Sequence, residues 1–184
     1  MCYFELSKVD TLMLGYKLTI WTLCLFLISF AHAENRQFTK VDYDEVGDCW
    51  TSAAERYQVN AYLLYALAEK ESAFNPLAIN YRSATDEDVG LMQISSFWFP
   101  HLLRYGISRS DLFHACTSIH VGAWVLAQSI MVFGNTWEAV GAYNVGTSKK
   151  KWAYKAREVY ASDVYRRYLA ILERLHSNNN LATE

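Results

Sequence analysis

From residue 42 to residue 176 the chain carries one helical periodicity of apolar positions, with no repeat, low-complexity tract or Pro/Ser-rich linker to divide it. That continuity constrains the fold to a mostly α, small globular domain. A first helix fits residues 44–57. A second begins after Asn60, a residue type suited to an N-cap, and ends before Asn75-Pro76, where the proline stops it. Residues 80–96 are polar apart from the run GLMQI, and predict a loop or a short hairpin-like excursion. Helical pattern resumes at Ser108 to Asp111 and becomes apolar on nearly every side over 119–133, as a central buried helix would. After the Gly134-Asn135 break, a short helix over 136–143 and a long charged helix over 154–176 complete the domain, with a cleft expected where the loops converge.

Composition narrows the function. Aromatic residues make up 15% of the chain, enough to build a core, so disorder is excluded. The 17 basic and 19 acidic residues leave no electrostatic footprint for nucleic acid. Residues Leu18 to Phe30 form an uncharged run of 13 after Lys17, followed by Ala31-His32-Ala33. Such a run with small residues at its end reads as a secretory signal peptide over 1–33, cleaved after Ala33, and is short for a permanent membrane helix. The acidic residues Glu5 and Asp10 are unusual ahead of such a run, and Met13 is an alternative start. The mature domain is then 34–184, where only Cys49 and Cys116 remain. In an exported chain two cysteines favour a disulfide, with two buried free thiols as the alternative.

Glu71 is the residue on which a function can turn. Stepping 100° per residue along the second helix places Leu63, Leu64, Leu67, Ala68 and Phe74 in one arc, with Glu71 at its centre and Glu69 on the opposite side. A carboxyl on an apolar face keeps its proton more readily than a free Glu, which is what a general acid needs near neutral pH. A buried Glu satisfied by an arginine or by helix-end amides fits the spacing equally well.

Three separated motifs resolve that choice. Glu71-Ser72 followed by Phe74-Asn75-Pro76, then Gly90-Leu91-Met92-Gln93-Ile94, then Ala142-Tyr143-Asn144 before Gly146, resemble the soluble lytic transglycosylase family, whose fold relatives include goose-type lysozyme. The match runs roughly over 49–168. Within the family, Cys49, Cys116, Ile119 to Trp124 and Thr136 to Asn144 are similar to the small secretion- and conjugation-associated members.

The resemblance implies a peptidoglycan lytic transglycosylase without a cofactor. Glu71 would be the single acid/base, protonating the glycosidic oxygen between N-acetylmuramic acid and N-acetylglucosamine. It would then take the proton of the muramic C6 hydroxyl as that oxygen closes a 1,6-anhydro ring. Ser72, Met92 and Gln93 would line the cleft, Tyr143 and Asn144 would position the sugar, and Tyr160 matches a tyrosine near the start of the last helix. Each has a structural alternative: Met92 as core filler, Tyr143 as packing, Asn144 as a cap or turn residue. Asp88, two residues before Gly90, occupies a position where secretion-associated members carry an aspartate. It would be a second carboxylate, unless Asp86, Glu87 and Asp88 are simply a solvated acidic loop.

The implied partners are peptidoglycan glycan strands and components of a secretion or conjugation machine, with no nucleic acid. The implied setting is the periplasm, and the implied state a monomer. A hydrolytic muramidase and a non-catalytic peptidoglycan-binding scaffold are the competing readings. His101, His114 and His120 lack metal-ligand spacing, so no metal is expected. The basic run Lys149, Lys150, Lys151, Lys155 and Arg157 reads first as a solvated surface.

Overall fold

The computed structural model describes residues 47–181, with side chains through Ser177. The export segment 1–33, the alternative start at Met13 and residues 44–46 of the first expected helix lie outside the described residues.

Two helices come first among the described residues, α1 over Gly47–Tyr57 and α2 over Ala61–Ser72. Asn60 caps α2 as its residue type predicts, its side-chain oxygen accepting the Leu63 N–H at 3.0 Å. Next comes an antiparallel sheet in the order β1-β2-β3, with β1 at Ile79–Tyr81, β2 at Glu87–Val89 and β3 at Ile94–Ser95. A 3-10 turn over Ser96–Trp98 leads into α3, Phe99–Leu103, and a second such turn over Ser110–Phe113 precedes α4, Ala115–Phe133. The chain ends in α5, Trp137–Val145, and α6, Lys151–Leu181.

The expected fold class holds: the molecule is mostly helical. The hairpin-like excursion is a three-stranded meander, whose strands of three, three and two residues are too short to show an alternating pattern. Residues 108–111 do not open α4. They belong to the separate 3-10 turn, and α4 starts only after His114. The last helix begins at Lys151, three residues before its apolar pattern does.

Helix α4 is the centre of the core. It is long and apolar enough to cross a membrane by length and composition, but Ile119, Val121, Ala123, Val125 and Leu126 are buried inside the domain. It packs against α1, α2 and α5. Trp50, Leu64, Leu67, Phe74, Leu91 and Met92 join the same core. Cys49 on α1 and Cys116 on α4 are bonded, with Cα atoms 5.4 Å apart across 67 residues of sequence. Two glycines permit close approaches. A Cβ on Gly122 would lie 2.7–2.9 Å from Met92 side-chain atoms, and one on Gly141 would collide with the Arg157 backbone where α5 crosses α6.

Candidate active site

Glu71 sits in the last turn of α2, where two residues with positive φ end the helix sharply: Ala73 at 51° and Phe74 at 64°. Neither is glycine, so the reversal carries some strain. Packing holds it in place, since Phe74 is 1% exposed and its ring lies 4.3 Å from that of Tyr65. The turn brings the Asn75 to Ala78 segment back across the end of α2 and leaves Glu71 facing a cleft of about 830 Å³.

The Glu71 carboxyl has its pKa raised from 4.5 to about 7. Burial is the main cause, and the negative charge of Asp88 adds to it. The Tyr160 hydroxyl and the Lys70 ammonium oppose the shift. Tyr160, on α6, donates its hydroxyl proton to Glu71 Oε1. Burial, then the neighbouring carboxylate, raises the Tyr160 pKa well above its ordinary value, so it remains a donor. No arginine pairs with Glu71 among the described residues, so of the two readings that the spacing of α2 leaves open, the arginine-satisfied one does not hold.

Asp88 reaches the same cleft from β2, the central strand, where it pairs with Asn80 on one side and Ser95 on the other. It is therefore no freely solvated loop residue. Arg82 lies 3.2 Å from its carboxylate, and burial still outweighs that cation and raises the Asp88 pKa. Its two neighbours in the acidic run differ. Glu87 makes a bidentate pair with Arg109 at 2.6 and 2.7 Å, and Asp86 accepts from Ser83.

The remaining expected site residues divide. Gln93 and Asn144 line the cleft. The Gln93 amide nitrogen donates to the carbonyls of Ala78 and Gly90 at 3.2 and 2.9 Å, so the residue also ties the sheet to its loop. Tyr143 contributes its ring to the lining, while its hydroxyl is spent on the Met92 carbonyl at 2.8 Å. Met92 corrects the expectation of a cleft residue: its side chain is fully buried against Gly122 in the core. The Ser72 hydroxyl donates to the Leu91 carbonyl at 2.7 Å and fastens α2 to the GLMQI loop. Tyr160 acts on Glu71 rather than on the lining.

Sequence reasoning missed the wall opposite the sheet. Val125, Gln128, Ser129 and Val132 form a stripe of α4 along the cleft at helical spacing, and Phe97 and Trp98 close one side. The α4 stripe was hidden because that helix is apolar all round, so no face stood out. Arg157 also departs from the solvated basic run. It is 1% exposed, bonded to Glu138 and to the carbonyls of Gly146 and Ser148, and lies against the rings of Phe133 and Tyr154. The histidines lie apart: His101 stacks on Trp124, His120 meets Ser52 at 3.2 Å, and His114 precedes α4.

A small helical domain with one proton-holding carboxyl in an open, polar cleft defines a lysozyme-like enzyme that cleaves glycans. The model of the transglycosylase SLT domain matches residues 48–164, and the chain belongs to that family, as a peptidoglycan lytic transglycosylase. Protein IpgF of Shigella sonnei is 47% identical over 133 residues, covering 72% of this chain and 86% of that protein. Invasion protein IagB of Salmonella typhi is 41% identical over 127 residues, covering 68% and 78%. Among solved structures, an inactive mutant of the lytic transglycosylase Slt from Pseudomonas aeruginosa superposes with a TM-score of 0.56 at 21% identity. That match covers 89% of this chain and 30% of the other, and it shows the fold.

Proposed function

We propose that the enzyme cleaves the β-1,4 bond between N-acetylmuramic acid and N-acetylglucosamine, with Glu71 as its only proton-transfer group. Protonated Glu71 donates to the glycosidic oxygen as the C1–O bond breaks. The resulting carboxylate then takes the proton of the muramic C6 hydroxyl, whose oxygen bonds to C1. The product is a 1,6-anhydro sugar, no water is consumed, and Glu71 ends protonated as it began. The observation that carries this reading is the Glu71 carboxyl itself, facing the cleft with a pKa near 7 and bonded to Tyr160. Asp88, which lines the same cleft from β2, stabilises the positive charge that develops at C1. Gln93, Tyr143 and Asn144 shape the subsite around the scissile bond.

Digestion of purified sacculi tests the assignment. Glu71→Gln lowers release of soluble muropeptides by about 10²–10⁴-fold, the span of general acid catalysis, and full activity would sink the role. Asp88→Asn lowers turnover with the fold intact, and unchanged turnover removes its role. Two carboxylates in one cleft also fit hydrolysis, the second reading. Mass spectrometry separates the two, because anhydro products are lighter by one water.

The name of Invasion protein IagB, the Salmonella typhi relative, supports a role in locally opening the wall for an envelope-spanning secretion or conjugation apparatus. An export signal over 1–33 and a mature periplasmic domain over 34–184 belong to the same reading. Fractionation that leaves the mature domain in the cytoplasm would refute it.

A further inference from the structure

Arg157 is 1% exposed, and its guanidinium holds the chain where α5 passes into α6. Residues 146–150 make that connection, and Gly146 and Thr147 line the cleft together with Asn144 and Val145. The backbone of the connection does little to place it. Gly146 donates its N–H to the Ala142 carbonyl at 2.8 Å, while the Lys150 N–H and carbonyl are spent on Ser148 and Ala153 close by in the chain. Among the described residues, Arg157 is the only side chain outside the connection that bonds to it. Its Nη1 donates to the carbonyls of Gly146 at 3.2 Å and Ser148 at 2.9 Å. The other edge of the guanidinium, Nε and Nη2, donates to Glu138 Oε1 at 3.2 and 3.0 Å. Glu138 lies in the first turn of α5 and Gly146 just past its last, so one planar group grips that helix at both ends. Gly141 permits the approach, because α5 has no Cβ there to keep the Arg157 backbone away. The rings of Phe133 and Tyr154 lie against the guanidinium at 4.9 and 4.6 Å. This grip needs a fixed fork of donors, which the compact point charge of an ammonium does not reproduce.

We propose that Arg157 is a positioning residue for the glycan-cleaving reaction. It fixes residues 146–150, and so sets the wall that Asn144, Gly146 and Thr147 present to the substrate. The Glu71–Tyr160 bond is made without it, so its contribution appears in substrate binding rather than in proton transfer. Without the fork the connection must be ordered at each binding event, and that cost is taken from affinity. The role rests on the transglycosylase reading for its substrate, a glycan strand.

Two measurements test it. Backbone amide relaxation by NMR gives order parameters of about 0.85, the rigid range, for Thr147, Ser148 and Lys149 of the wild type. Arg157→Lys, which keeps the charge and loses the fork, lowers them to about 0.6 while those of α4 stay unchanged. Release of soluble muropeptides against sacculus concentration shows KM raised about fivefold in Arg157→Lys, the size of one lost hydrogen bond, with kcat within about twofold of wild type. The control is the Cys49→Ala/Cys116→Ala variant, which loses stability away from the connection and keeps the wild-type KM and order parameters. All assays run below the unfolding midpoint of every variant. Order parameters of about 0.6 in the wild-type connection overturn the role whether or not a variant folds. An Arg157→Lys KM within about twofold of wild type, or an equal rise in the cysteine variant, overturns it too. Wild type that turns over no sacculi would instead overturn the transglycosylase reading, leaving the order parameters to decide whether Arg157 holds the connection.

Discussion

With a pKa of about 7, Glu71 holds its proton in about half of the molecules at neutral pH and loses it as pH rises. Activity that needs the acid form therefore falls on the alkaline side, with a midpoint near 7. The neighbours tune that midpoint in opposite directions. Tyr160 stabilises the carboxylate, so Tyr160→Phe moves the alkaline limb of the pH profile upward. Asp88 destabilises it, so Asp88→Asn moves the limb downward, and pH–rate profiles of the two variants check both signs. The same carboxyl weighs on stability. Because its pKa is higher in the fold than in the unfolded chain, its destabilising effect is absent below about 4.5, grows up to about 7 and is constant above that. Glu71→Gln should thus stabilise the domain by about 2–3 kcal/mol at pH 8 and by little at pH 4, read from denaturant unfolding at both values. Equal gains at both would contradict a buried proton-holding acid.

Helices α2 and α6 act together, because Tyr160 on α6 donates to Glu71 on α2 and opposes the rise of its pKa. Lys70 and Asp163 bridge the two helices at 2.7 Å, and Glu69 lies 3.8 Å from Arg167 beside them. Glu69, which the arc of α2 assigns to the other side, thus has a structural role of its own. Farther along, α5 meets α6 at Gly141, where the Arg157 backbone leaves no room for a Cβ. Gly141→Ala must push the helices apart, at a cost of about 1–3 kcal/mol, measurable as a lower unfolding midpoint. The displacement would also shift the Ala142 to Asn144 segment that lines the cleft, so sacculus digestion should fall as well.

On the scale of the whole molecule, the Cys49–Cys116 bond ties the first described helix to the central one across 67 residues. Constraining so long a loop in the unfolded chain is worth about 4 kcal/mol in the entropic account. Replacing both cysteines by alanine should lower stability by about 2–4 kcal/mol, and reduction of the native protein should lower its unfolding midpoint similarly. The sequence by itself determined the helical class, the Asn60 cap, the break at Asn75-Pro76 and the place of Glu71 on the apolar face of α2, because periodicity and capping are local. Its motifs also named Gln93, Tyr143, Asn144 and Tyr160. Only the tertiary structure decided what each does. Met92 and Ser72 belong to the motifs yet serve packing and loop attachment, while Phe97 and Gln128 lie in no motif and line the cleft. Which side of a residue meets solvent depends on what packs against it from distant parts of the chain. The charged Arg157 is buried because Glu138, the carbonyls of Gly146 and Ser148 and the Phe133 ring converge on it from outside its own helix, with Tyr154 one turn before it, and no pattern along the chain announces that convergence.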